Sequence, residues 1–166
     1  MKSYRAILYA TFLLIAPAVR AELPVKRVLT LNVAKRIAAV AEAEANRRHL
    51  TAVIVVVDDA GHLLVLHRLD NTQVASVEVG IGKARTAAIF RRPSKDFEDQ
   101  IKQGRVAALA LPGATPLQGG IPIILDGQVI GAIGVSGESP QEDEDVAKAG
   151  AAASAAAIAA EGASHE

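Results

Sequence analysis

Residues 121–135 leave few folding options open. Ile121-Pro-Ile-Ile-Leu125 is a short apolar run, Asp126-Gly127 follows it, and Gln128-Val-Ile-Gly-Ala-Ile-Gly-Val135 is a second run. Asp-Gly favours the type I′ turn, whose twist matches that of paired strands, so the segment predicts a β-hairpin. Pro122 has no N–H for a ladder, which puts its strand at a sheet edge or a bulge. A second hairpin is expected upstream. Residues 52–57, Ala-Val-Ile-Val-Val-Val, form the β-branched run of a strand buried on both faces. Asp58-Asp59-Ala60-Gly61 carries turn chemistry, and residues 62–69 return.

Helical patterns surround the hairpins. Thr30 can cap a helix over residues 31–48, with Val33, Ile37, Val40, Ala41 and Ala45 on one face. Residues 73–90 predict a second helix, stopped by Arg91-Arg92-Pro93. Ser94 is placed to cap a third over 95–103, and residues 104–111 predict a further helical turn or two. Ser139, Pro140 and Glu142 spell a capping box with Pro at the first helical position. The helix they open runs to about Ala160 and is mostly alanine, which allows close approach of a sheet or another helix. Helix, hairpin, two helices, hairpin, helix is the order of an α+β fold, with helices packed on one sheet.

The first 21 residues stand apart. Lys2 and Arg5 precede the 14-residue apolar run Ala6–Val19, and Val19-Arg20-Ala21 offers a small-residue cleavage point. Basic, apolar, small is the order of a secretory signal, and a spanning helix needs roughly 20 apolar residues. Cleavage after Ala21 is expected, leaving residues 22–166 as one domain in the periplasm or outside the cell. No membrane attachment is expected after cleavage. Removal of the leader takes three basic residues and no acid, so 18 basic and 18 acidic become 15 and 18, a net charge of −3. That balance gives nucleic acid no basic surface to bind, and it is not expected as a partner. The absence of cysteine excludes thiolate nucleophiles, CxxC redox sites and CxxCH haem attachment. With aromatics at 3%, the core must be aliphatic.

Candidate chemistry centres on a few side chains. His62 and His67 differ by an odd number, so one strand points them to opposite faces, and neither HExxH nor HxH occurs. A zinc site is therefore poorly supported, but a single histidine suffices as an axial ligand of haem iron, and His67 is the first candidate. Arg68, Asp70 and Lys83 can converge where a strand meets a helix, with Thr86 close by. Such a group suits a carboxylate, or forms an ordinary ion-pair cluster. Gly119-Gly120 lets the backbone approach a ligand or a partner closely. GxGxxG and GxSxG are absent, and the acidic run 138–145 is accounted for by helix capping.

The segments VVVDDAGHLLVLHRLD, SVEVGIGKARTAAIFRRPS and PLQGGIPIILDGQVIGAIGVSG, followed by SPQEDEDVAKAG, resemble the GlcG/HbpS-like haem-binding family over about residues 30–160. The resemblance implies a profilin-like layered domain that assembles into homo-oligomers. It also implies a haem ligand for some members, which degrade haem, store its iron or report to a sensor protein. The family pattern carries over to Asp58, Gly61, Arg68, Asp70, Lys83, Thr86, Gly119, Gly120, Pro122, Gly131, Ser136 and Gly137. His67 stands where relatives have a small residue, and Asn71 where they have glycine. Members also act beside catabolic pathways, so a small-organic-acid enzyme and a structural or signalling oligomer are the alternatives to an exported haem-binding protein. For the enzyme, Asp70 or Glu78 would be the base.

Overall fold

The computed structural model describes residues 23–163. The leader expected over residues 1–21, and His165, lie outside the described residues. The element order is α1 (Leu31–Arg47), β1 (Val53–Asp58), β2 (Leu63–Arg68), α2 (Ser76–Phe90), α3 (Lys95–Lys102), a 3₁₀ turn (Val106–Ala110), β3 (Gly120–Leu125), β4 (Gln128–Ser136), α4 (Pro140–Ala152) and α5 (Ser154–Gly162). Both hairpins form. They join through β1 and β4 into one antiparallel sheet of order β2-β1-β4-β3.

The sheet follows from the residues. Val53–Val57 are fully buried because β1 is central and covered on both faces. Val53, Val55 and Val57 pack with Ala132 against Ala84, Ala87 and Ala88 of α2. Ile54, Val56, Ile133 and Val135 face the other way, against α1 and α4 through Ile37, Ala38, Ala41, Val146 and Ala147. Asp126 and Gly127 take φ of 48° and 77°, as a type I′ turn requires. Pro122 lies on the edge strand β3, next to an irregularity between Ile123 and Ile124.

The helix signals are mostly realised. Thr30 Oγ1 accepts the Val33 N–H at 3.3 Å, and Ser139 with Glu142 forms the capping box. α1 ends in a Schellman turn: the His49 N–H bonds the Asn46 carbonyl, the Leu50 N–H bonds that of Ala45, and His49 takes φ 59°. Two expectations need correction. Ser94 does not cap α3; its backbone is helical, and its hydroxyl donates to the Leu117 carbonyl while accepting the Gly120 N–H at 2.8 Å. The alanine-rich helix is two helices, because the Ala153 N–H turns to the Gly150 carbonyl three residues back and tightens the chain there.

Candidate functional site

Every strand end near residues 53, 68, 120 and 136 lies at one end of the sheet, and the polar side chains singled out above gather there in two groups. The first is internal. Lys83, on the sheet side of α2, is only 4% exposed. Its ammonium donates to Asp143 Oδ2 at 2.7 Å and to the Val135 carbonyl at 3.0 Å. The pair ties α2 to the end of β4 and the first turn of α4. Burial pushes the Asp143 carboxyl above its ordinary range, against the pull of the Lys83 hydrogen bond and charge. Gly119 and Gly120 complete the group. A Cβ at Gly120 would overlap the Lys83 carbonyl, and one at Gly119, which takes φ 124°, would press on the Val135 carbonyl and the Lys83 ammonium. Buried Gln118 reaches buried Glu144 through its amide nitrogen, and Lys148 meets the same carboxylate at 2.6 Å. Thr86 is also interior, donating to the Gly82 carbonyl and accepting the Thr115 N–H, both at 2.7 Å.

The second group faces solvent on the edge strand β2. His67 lies in register with Ile54 and, through it, with Val135. Alternation turns Val65 and His67 toward α1, and Leu66 toward α2 with Arg68. Nδ1 of His67 is 2.6 Å from Oε2 of Glu42 on α1, and the two side chains are 34% and 38% exposed. Arg68 is exposed and donates to the Thr72 carbonyl at 2.9 Å. Asp70 is exposed and has no hydrogen bond or ion pair among the described residues.

The structure therefore keeps apart what the sequence suggested as one cluster. No hydrogen bond or ion pair joins Arg68 or Asp70 to Lys83. Arg68 is in register with Val53 and then Ser136, which places it two strand spacings, roughly 10 Å, from β4. Lys83, Thr86, Gly119 and Gly120 are framework; His67, Arg68 and Asp70 are reachable. Two partners were not foreseen. Asp143 sits in a helix first turn where acids are expected for the dipole alone, and Glu42 is 25 residues from His67 in the chain.

The chemistry of the His67 group is specific. A carboxylate only accepts, so Nδ1 is the donor of this bond, and in the neutral imidazole Nε2 then carries the lone pair. Nε2 has no hydrogen-bond partner among the described residues. This is the arrangement that orients metal-ligating histidines. Among the described residues no three His, Asp or Glu side chains gather as a metal site. An iron already held by four macrocycle nitrogens needs only one protein donor, so the donor set fits haem better than a bare ion. An apolar hollow of about 360 Å³, lined by Val28, Leu29, Val33, Leu125, Ile130 and Ile158, lies at the opposite end of α1. Thr30 and Glu161 also line it, and no histidine does.

Fold and site together define a small α+β domain whose buried Lys–Asp pair holds one end of a four-stranded sheet beneath an accessible histidine. Residues 29–152 match the model of the family described as haem-degrading proteins like HbpS, and the chain belongs to that family. GlcG of Escherichia coli is 41% identical over 111 residues, covering 67% of this chain and 83% of that protein. The crystal structure of a double mutant of HbpS from Streptomyces reticuli superposes with a TM-score of 0.72 at 31% identity, covering 82% of this chain and 95% of that one. Protein ORFY of Klebsiella pneumoniae superposes with a TM-score of 0.77 at 27% identity, covering 84% and 99%.

Proposed function

We propose that this chain is an exported protein that binds haem. The observation that carries the reading is the family match over residues 29–152, which spans α1 to α4 and includes both groups described above. Bound haem supplies an iron centre and its redox chemistry. The chain's part is to hold and orient the group, and the reachable side chains suit that part. His67 offers a lone pair, and Arg68 is an exposed guanidinium able to meet a carboxylate. Lys83, Thr86, Gly119 and Gly120 hold the strand ends from within. Export is supported by the basic, apolar and small order of residues 1–21. Assembly into a homo-oligomer is supported by the exposure of Val74 (74%), Val106 (64%) and Leu109 (65%), apolar surface that association would cover.

The test is a haemin titration of the processed chain followed by absorbance. A saturable shift of the Soret band is expected. A spectrum that remains that of free haemin at every ratio contradicts the proposal and favours the small-acid enzyme or the structural oligomer.

A further inference from the structure

We infer that His67 is the residue that ligates the iron of a bound haem, through Nε2, and that Glu42 is its positioning residue. The inference rests on the haem-binding reading above and adds to it the atom, the face and the partner. Three observations carry it.

First, the ring is prepared for one ligand only. Glu42 Oε2 at 2.6 Å engages Nδ1 and orients the ring, leaving Nε2 as the unpartnered nitrogen of a one-third exposed side chain. Second, neither of the other described histidines is held this way. The His62 ring is 81% exposed with Nδ1 3.4 Å from Asp58 Oδ2, beyond a good hydrogen bond, and exposed His49 has no side-chain partner. Third, the helix beside His67 has the right neighbours. Lys35, Ala39, Glu42 and Asn46 recur at helical spacing and form one stripe along α1. Ala39, one turn before Glu42, is small and exposed, so the stripe carries no bulky side chain there. Lys35 is exposed and makes no ion pair among the described residues. It lies seven residues from Glu42, roughly 10 Å along the axis, where it suits a carboxylate at the rim of a macrocycle. The α1 side of β2 thus carries a nitrogen donor, and the α1 stripe beside it carries one small residue and a cation without an ion pair among the described residues. Arg68 is turned to the other face of the strand.

A carboxylate hydrogen bond makes the imidazole a stronger donor. Glu42 should therefore favour ferric over ferrous iron, which separates its role from that of a surface ion pair.

The experiment uses the full processed chain, haemin as probe, and the variants His67→Ala, His67→Gln, Glu42→Gln and Glu42→Ala. Far-UV circular dichroism first shows which variants keep the wild-type fold; His67→Gln serves if His67→Ala does not. Wild type should give the absorbance and paramagnetic-resonance spectra of histidine-ligated ferric haem. The His67 variant should lose them, and added imidazole should restore them. Glu42→Gln should keep the ligand spectrum but move the midpoint potential upward, and Glu42→Ala should weaken haemin binding by about 10- to 100-fold. A His67 variant with wild-type spectrum and affinity overturns the ligand assignment and leaves haem binding standing. An unchanged potential in Glu42→Gln overturns the role of Glu42. A wild-type chain that binds no haemin removes the functional reading itself, and this inference with it.

Discussion

Lys83 donates to a carboxylate and to a carbonyl in a space that excludes water, and this decides what the side chain is for. Its charge was readable as a candidate anion clamp because the sequence places it beside Thr86 and within reach of Arg68. The partner was not readable, because a long-range pair between α2 and α4 leaves no local spacing to recognise. Removing one member of a buried pair strands the other charge and typically costs about 3–5 kcal/mol, whereas replacing both with apolar groups is often neutral. Lys83→Met should therefore destabilise the fold by about 3–5 kcal/mol, and Lys83→Met with Asp143→Leu should recover most of that loss. Urea unfolding monitored by circular dichroism measures both. A single variant of nearly native stability that no longer takes up an anionic ligand would return Lys83 to the binding surface. His67 presents the opposite case. Its residue type, next to Arg68 and Asp70 in the chain, marked it as a candidate iron ligand, and alternation along β2 turns it to the face opposite Arg68. What the sequence could not supply was Glu42, which alternation and helical phase bring to the ring only after α1 has packed on the sheet.

Elements were more readable than contacts. The Asp126-Gly127 turn, the capping box at Ser139 and the buried run of β1 each have a local physical cause, and each appears where it was expected. Ser94 misled because a serine before a helix is usually a cap, whereas here its hydroxyl anchors the glycine loop that enters β3. The glycines of β4 explain why α2 lies so close to the sheet. A Cβ at Gly134 would overlap the Gly80 carbonyl and the Ala84 nitrogen, both backbone atoms that side-chain motion cannot relieve. Gly134→Ala should force α2 outward and destabilise the chain by about 1–3 kcal/mol, the range for overpacked interiors. Thermal unfolding should show a lower midpoint than wild type. An unchanged midpoint would mean that α2 shifts along the sheet without loss.

At the scale of the molecule, two hairpins joined through β1 and β4 give a sheet with β2 and β3 at its edges, and helices cover both faces. Hairpin order was readable from turns and apolar runs, but the pairing of β1 with β4 is a long-range choice that only burial on both faces makes. That choice places the buried Lys83 group and the open His67 group at the same end of the sheet, one as support and the other as a surface. No helix among the described residues is long and apolar enough to cross a membrane. The central claim is that this surface holds ferric haem by a histidine nitrogen. The most direct measurement is the hyperfine spectrum of the haemin-loaded chain grown with ¹⁵N-histidine. The account predicts a ¹⁵N coupling to the iron in addition to the macrocycle nitrogens. A spectrum with macrocycle nitrogens alone would contradict it.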